Sequence, residues 1–189
     1  DTLANPYVAA ERGYVDAVVP PSERAGVITQ RVMLTSLAGP RVPPGSLGFE
    51  NTFMLSIATS IPKLLVFCQT KRTCDRVANN LGELGVDAGP IHGDMQQSAR
   101  ERALRAFAEG KLAVLVATDV AARGIDIDDI GAVIHYEPAK DVKDYLHRSG
   151  RTARAGRDGW AVTLAEYNQH TQVRILQRGM RLPTEKPIE

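Results

Sequence analysis

Four arginines at a spacing of three stand in the run His147-Arg148-Ser149-Gly150-Arg151-Thr152-Ala153-Arg154-Ala155-Gly156-Arg157, interleaved with glycines and with no acid among them. A guanidinium stays charged and offers a planar fork of donors that grips phosphate oxygens in pairs, so several on a glycine-containing backbone point to a polyanion site. The alternative is a solvated basic helix end, the usual fate of a charge run, because residues 141–146 just before it read as a helix. Three more short runs carry groups suited to phosphate: Gln69-Thr70-Lys71-Arg72, His92-Gly93-Asp94, and Thr118-Asp119-Val120-Ala121-Ala122-Arg123-Gly124-Ile125-Asp126. Each has a plain reading too. Thr70 and Asp94 suit helix N-caps, and Gly93 and Gly124 suit tight turns.

The elements around these runs decide between the readings. Leu64-Leu65-Val66-Phe67 is apolar without alternation, as a strand covered on both faces should be. Residues 70–84 place Cys74, Val77, Leu81 and Leu84 at helical spacing, with Gly85 as the stop. Further strands are predicted at 90–92, 112–117, 132–136 and 160–164, with helices at 98–107, 141–146 and 166–180. Strands alternating with helices imply right-handed crossovers and a mostly parallel sheet with helices on both faces. Ligands of such sheets gather at the carboxyl ends of the strands, and all four runs fall on or near that edge.

The chain has 189 residues, enough for one core or one core plus an appendage. Its net charge of +1 leaves partners open, so the local arginine block carries the charge argument. No apolar run approaches the roughly 18 residues of a membrane span, and no secretory signal is seen, so no membrane partner is expected. Cys68 and Cys74 lack Cys-x-x-Cys spacing and the four histidines lack His-x-x-x-His spacing, so a metal site or disulfide framework is not expected. Free thiols favour a reducing, cytoplasmic setting. A start at Asp1 reads as a processed chain or a fragment.

Residues 63–182 resemble the second, C-terminal RecA-like domain of DEAD-box ATP-dependent RNA helicases. Leu65–Arg72 matches that family's motif IV, and His92–Arg100 matches the stretch with a Gln-x-x-Arg signature, here Gln97 to Arg100. Val116–Asp126 matches motif V, and the arginine block matches motif VI. The resemblance implies a three-layer RecA-like α/β domain. It also implies that Arg151 and Arg154 reach the γ-phosphate of ATP and that Asp126, beside Gly124, meets its ribose, with His147 coupling the nucleotide site to the opposite domain. Thr70, Lys71, Arg72, Gly93, Gln97, Arg100 and Thr118 would contact RNA along its backbone, without reading sequence; aromatic content of 5% offers no evident platform for stacking bases. Two departures stand out: Ala153 where glycine is usual, and Glu137 where aspartate is more frequent. Ala153 leaves the flanking arginines intact and is not expected to matter.

No Gly-x-x-x-x-Gly-Lys-Ser/Thr loop and no Asp-Glu-Ala-Asp run occurs. The resemblance places those parts, and with them most of the grip on ATP and Mg²⁺, in a first RecA-like domain. Alone, the chain is expected to be inactive as an ATPase. A stand-alone RNA-binding or regulatory module is the rival reading.

Residues 1–48 read as an irregular, proline-rich tail with one helix at 22–36, followed by a junction at 49–62; residues 183–189 form a C-terminal tail. Asn5–Pro21 is similar to the C-terminal end of the carboxyltransferase β subunit of acyl-CoA carboxylases, loosely extending to about residue 45. That resemblance implies a chimeric fusion. It brings no acyl-CoA site, and a carboxyltransferase fragment is the weakest functional reading.

Overall fold

The apolar runs assemble as their lack of alternation predicts. The computed structural model describes residues 17–19, 32–36, 49–123, 125–127, 129–153, 159–165 and 169–180. Seven strands form one sheet: β1 Ala17–Val19, β2 Val32–Ser36, β3 Leu64–Cys68, β4 Ala88–Ile91, β5 Val114–Thr118, β6 Ala132–His135 and β7 Trp160–Ala165. Their order across the sheet is β1-β2-β7-β6-β3-β5-β4. Every neighbouring pair is parallel except β1 with β2. Among the described residues six helices accompany them: α1 Phe49–Ser60, α2 Lys71–Glu83, α3 Gln97–Ala108, α4 Asp119–Ala122, α5 Val142–Ser149 and α6 His170–Gly179.

The sheet has a core on each face. Leu64, Val66 and Cys68 of β3 point to one side, where Met54 of α1 and Cys74, Val77, Ala78 and Leu81 of α2 cover them. Leu65 and Phe67 point to the other, against Phe107 of α3 and Ala121 and Ala122 of α4. A smaller cluster, Ala139, Tyr145 and Leu176, joins α5 to α6. Each buried Leu, Ile, Val or Phe contributes roughly 1.5–3 kcal/mol over its exposed state, so the doubly covered β3 is the anchor of the domain. Both thiols are free and buried.

Three expectations need correction. The tail is not wholly irregular: residues 32–36, expected as part of a helix, are strand β2, seated parallel to β7 from Val32↔Ala161 to Ser36↔Ala165. A short apolar run reads equally as buried helix or strand, and here an open sheet edge decides. The rest of that helix, residues 22–31, lies outside the described residues, as does most of the carboxyltransferase-like stretch. The junction at 49–62 is largely helix α1, with Met54 fully buried in the main core. Finally, α5 runs past Leu146 to Ser149, because Asp141 caps its start by accepting the Asp144 N–H at 2.8 Å and nothing breaks it before Gly150.

The seating of β2 has a measurable consequence. Deleting residues 1–48 strips it from β7 and leaves β7 a bare sheet edge. Five register pairs disappear at about 0.5–1.5 kcal/mol per backbone hydrogen bond, partly offset by regained chain freedom. A net cost of about 1–3 kcal/mol should lower Tm by several degrees for a chain of this size. An unchanged melting curve would show that β2 contributes nothing.

Candidate nucleotide and nucleic-acid interface

The parallel strands deliver the four runs to one edge. Thr70 follows β3 and caps α2: its hydroxyl oxygen accepts the Thr73 N–H at 3.1 Å, and the two hydroxyls lie 2.8 Å apart. Lys71 and Arg72 open the helix, both exposed. After β4, His92 is buried and its Nε2 meets Asp75 Oδ1 at 2.9 Å, which fixes the loop to α2. The Lys71 ammonium pairs with the Asp94 carboxylate, tying the two loops together and holding that carboxyl below its usual range. Both partners are at least half exposed, so the pair is weak and Lys71 can exchange it for a phosphate. Gly93 is exposed, has no positive φ, and a Cβ there would meet only Lys71 Cε at 3.9 Å. What the missing side chain leaves is open access to the main chain. Gln97 begins α3, exposed, and donates to Glu101 Oε1 at 2.9 Å. One turn on, Arg100 is half-buried, and its Nε is enclosed with no hydrogen-bond partner among the described residues. Thr118 ends β5 and precedes α4 without a side-chain capping bond.

The nucleotide-side residues divide. His147 is exposed on the last turn of α5, and Asp126 is exposed on the segment after α4. Arg151 comes to that segment: its Nη1 donates to the Ile125 carbonyl at 2.9 Å. The next residue, Thr152, donates its hydroxyl to the Ile130 carbonyl, so the start of the arginine loop is pinned twice. Gly124, Arg154 and Arg157 lie outside the described residues.

Arg148 does not belong to the polyanion surface. It is 1% exposed, and its Nε and Nη2 donate to Asp119 Oδ1 and Oδ2 at 2.6 and 2.7 Å. Its Nη1 donates to the Glu137 carbonyl at 3.2 Å, and the guanidinium lies over the Phe67 ring, 5.4 Å from its centroid. The basic block therefore offers one arginine fewer than its composition indicated. The signal that could have shown this was Tyr145, Arg148 and Ser149 at i, i+3 and i+4, all buried. Glu137 also has a part: its carboxylate accepts the Gln69 N–H at 3.0 Å, and burial raises its pKa. Ala153, expected to be neutral, adopts φ +56°, a left-handed conformation that costs a non-glycine residue about 1–2 kcal/mol. Gly159 explains why the loop is held there, since a Cβ on it would fall 2.1 Å from Thr152 Oγ1.

His135 was not singled out by sequence either. It is wholly buried, its ring 4.7 Å from that of Tyr145 and its Nε2 3.4 Å from Ser149 Oγ. Burial first, then the Arg148 charge, lower its pKa well below 6.5. The unfolded chain therefore binds the proton more readily, and stability that is present above about pH 6.5 is lost as pH falls from there towards the folded value. Between pH 7.5 and 5.5 the wild type should lose up to about 1.4 kcal/mol for the one unit below 6.5 relative to His135→Asn, which cannot titrate. Parallel melting curves for the two proteins would refute this.

Comparison with known proteins agrees with the geometry. Residues 51–156 match the family model described as the helicase conserved C-terminal domain. A probable ATP-dependent RNA helicase of Methanocaldococcus jannaschii is 43% identical over 122 residues, 65% of this chain and 33% of that protein. An ATP-dependent rRNA helicase of Kluyveromyces lactis is 42% identical over 148 residues, 76% of this chain and 30% of its own. The chain thus spans about a third of the length of these relatives. Among solved structures, the E. coli DEAD-box protein SrmB, bound to regulator of ribonuclease activity A, superposes with TM-score 0.66 at 36% identity, covering 74% of this chain and 81% of that one. The family model covers more than half of the sequence and the fold matches that of a DEAD-box protein: the chain belongs to the helicase conserved C-terminal domain family and carries the C-terminal RecA-like domain of a DEAD-box helicase.

Proposed function

We propose that this chain is the C-terminal half of an ATP-dependent RNA helicase. It holds the sugar-phosphate backbone of RNA and contributes arginines to the hydrolysis of ATP bound chiefly by a first RecA-like domain. The observation that carries this reading is the gathering of Thr70, Gly93, Gln97, Arg100 and Thr118 at the carboxyl ends of β3, β4 and β5, with Asp126 and Arg151 further along. These are short hydroxyls, amides, main chain and guanidinium groups, donors that suit phosphate without reading bases. Arg151, hydrogen-bonded to the Ile125 carbonyl, supplies a cation for a phosphate, and the exposed Asp126 next in the chain supplies a carboxylate for a ribose hydroxyl. The sequence has neither a phosphate loop nor a Mg²⁺-binding carboxylate motif, which is why the first domain is required. Among the described residues no helix is long and apolar enough to cross a membrane, and no cluster of His, Cys, Asp or Glu fits a metal ion. We assign a cytoplasmic location and no acyl-CoA chemistry to the tail.

Titration of the chain with single-stranded RNA at several salt concentrations tests the RNA half of this reading. Three or four neutralised phosphates give a slope of about −2 to −3 in log affinity against log salt, with similar affinities for oligouridylate and oligoadenylate. A tight, salt-insensitive and sequence-selective complex would instead favour a stand-alone RNA-binding module.

A further inference from the structure

The ion pair of Asp119 and Arg148 lies between the two groups of contact residues and belongs to neither. Asp119 directly follows Thr118 at the end of β5, while Arg148 adjoins His147 and precedes Arg151 by three residues. β5 and β6 are not neighbours, because β3 runs between them, so no backbone ladder connects the elements that follow them. Arg148, on the helix after β6, reaches across the Phe67 ring of β3 to the helix after β5. Two hydrogen bonds to one carboxylate, a third to the Glu137 carbonyl and an aromatic face beneath hold the guanidinium in place. We propose that Asp119 and Arg148 are positioning residues that hold the RNA-contacting end of β5 and the phosphate-contacting end of α5 in one register. This rests on the function proposed above.

Stability alone does not require such a pair, since well-packed apolar residues of similar volume often replace a buried ion pair without loss. What they cannot replace is the fixed distance and plane of a fork gripping a carboxylate. That difference separates a positioning role from a structural one. In the full 189-residue chain, the double variant Asp119→Leu/Arg148→Met should melt within a few degrees of wild type. Its affinity for a fluorescent single-stranded oligouridylate should nonetheless fall about tenfold, with a salt slope shallower by about 0.7 for each phosphate that the variant no longer neutralises. Wild-type affinity and slope in that variant would overturn the positioning role alone. A wild-type chain that binds no oligouridylate would overturn both this role and the function beneath it. A second measurement needs no variant: on saturation with oligouridylate, the Nε–H resonance of Arg148 should move together with the Thr118 amide. An Arg148 signal that stays in place while Thr118 shifts would also overturn the proposal.

Discussion

Joined behind a first RecA-like domain that supplies a phosphate loop and Mg²⁺ carboxylates, the chain should hydrolyse ATP, and Arg151→Ala should remove most of that activity. An arginine aimed at the transferring phosphoryl group stabilises charge that develops in the transition state, so its loss falls on kcat far more than on nucleotide affinity. Comparable arginines in GTPases are worth about 10³–10⁵ in rate. In the structure Arg151 places one N–H on the Ile125 carbonyl at 2.9 Å, one residue before Asp126. Arg154→Ala should be similarly costly. Lysine should rescue neither, since a point charge cannot reproduce the fork. Arg157→Ala, one step further along the sequence, is the control and should keep near-normal turnover. Steady-state kinetics on the wild type and these variants decides the matter: equal losses at 151, 154 and 157 would mean a diffuse basic surface.

The second large effect concerns stability and has a built-in asymmetry. Asp119→Ala removes the carboxylate that the buried Arg148 guanidinium grips with two hydrogen bonds, and breaking a buried ion pair from one side costs about 3–5 kcal/mol. For a chain of this size the melting temperature should drop by roughly 10 °C. Arg148→Met should cost less, because the carboxylate it abandons is 31% exposed and can recruit water, while the methionine still packs over Phe67. Thermal melts of the two variants test the order. If Arg148→Met proves the more damaging, the hydrogen bonds of the guanidinium to Asp119 and the Glu137 carbonyl, rather than the cost of an unpaired buried charge, decide how α5 is held.

The residues show why some of this is legible in the sequence and some is not. Leu64–Phe67 reads as a buried strand because four apolar residues without alternation, followed by a separate helical pattern that Gly85 stops, suit a strand covered on both faces. The observed strand extends one residue further, to Cys68. Thr70 reads both as a cap and as an RNA contact, and the structure shows the cap while leaving the side chain exposed. Helix α1 reads as linker because of the prolines before it, although Met54, Ile57, Ala58 and Ile61 carry helical spacing and pack on the core. β2 reads as helix because its partner β7 lies more than a hundred residues away, and no local pattern encodes such a pairing. Arg148 illustrates a different limit. Charge predicts the surface, and only a carboxylate delivered by another loop reverses that expectation. Resemblance alone assigns Arg151 to the γ-phosphate and Asp126 to the ribose; the structure adds a hydrogen bond from Arg151 to the Ile125 carbonyl.

The central place of β3 also sets the order in which the chain must assemble. Leu64 pairs on one side with Val114 and on the other with Ala132, so neither partner exists when the ribosome finishes the strand. At roughly 5–20 residues per second, the stretch from there to Val114 takes about 3–10 s to make. For that interval the most apolar segment of the domain has no sheet to enter, only helix α2 to lean on, with Cys74, Val77 and Leu81 facing Leu64, Val66 and Cys68. A nascent chain halted before residue 114 should therefore aggregate or engage chaperones, and one halted beyond residue 136 should do so far less.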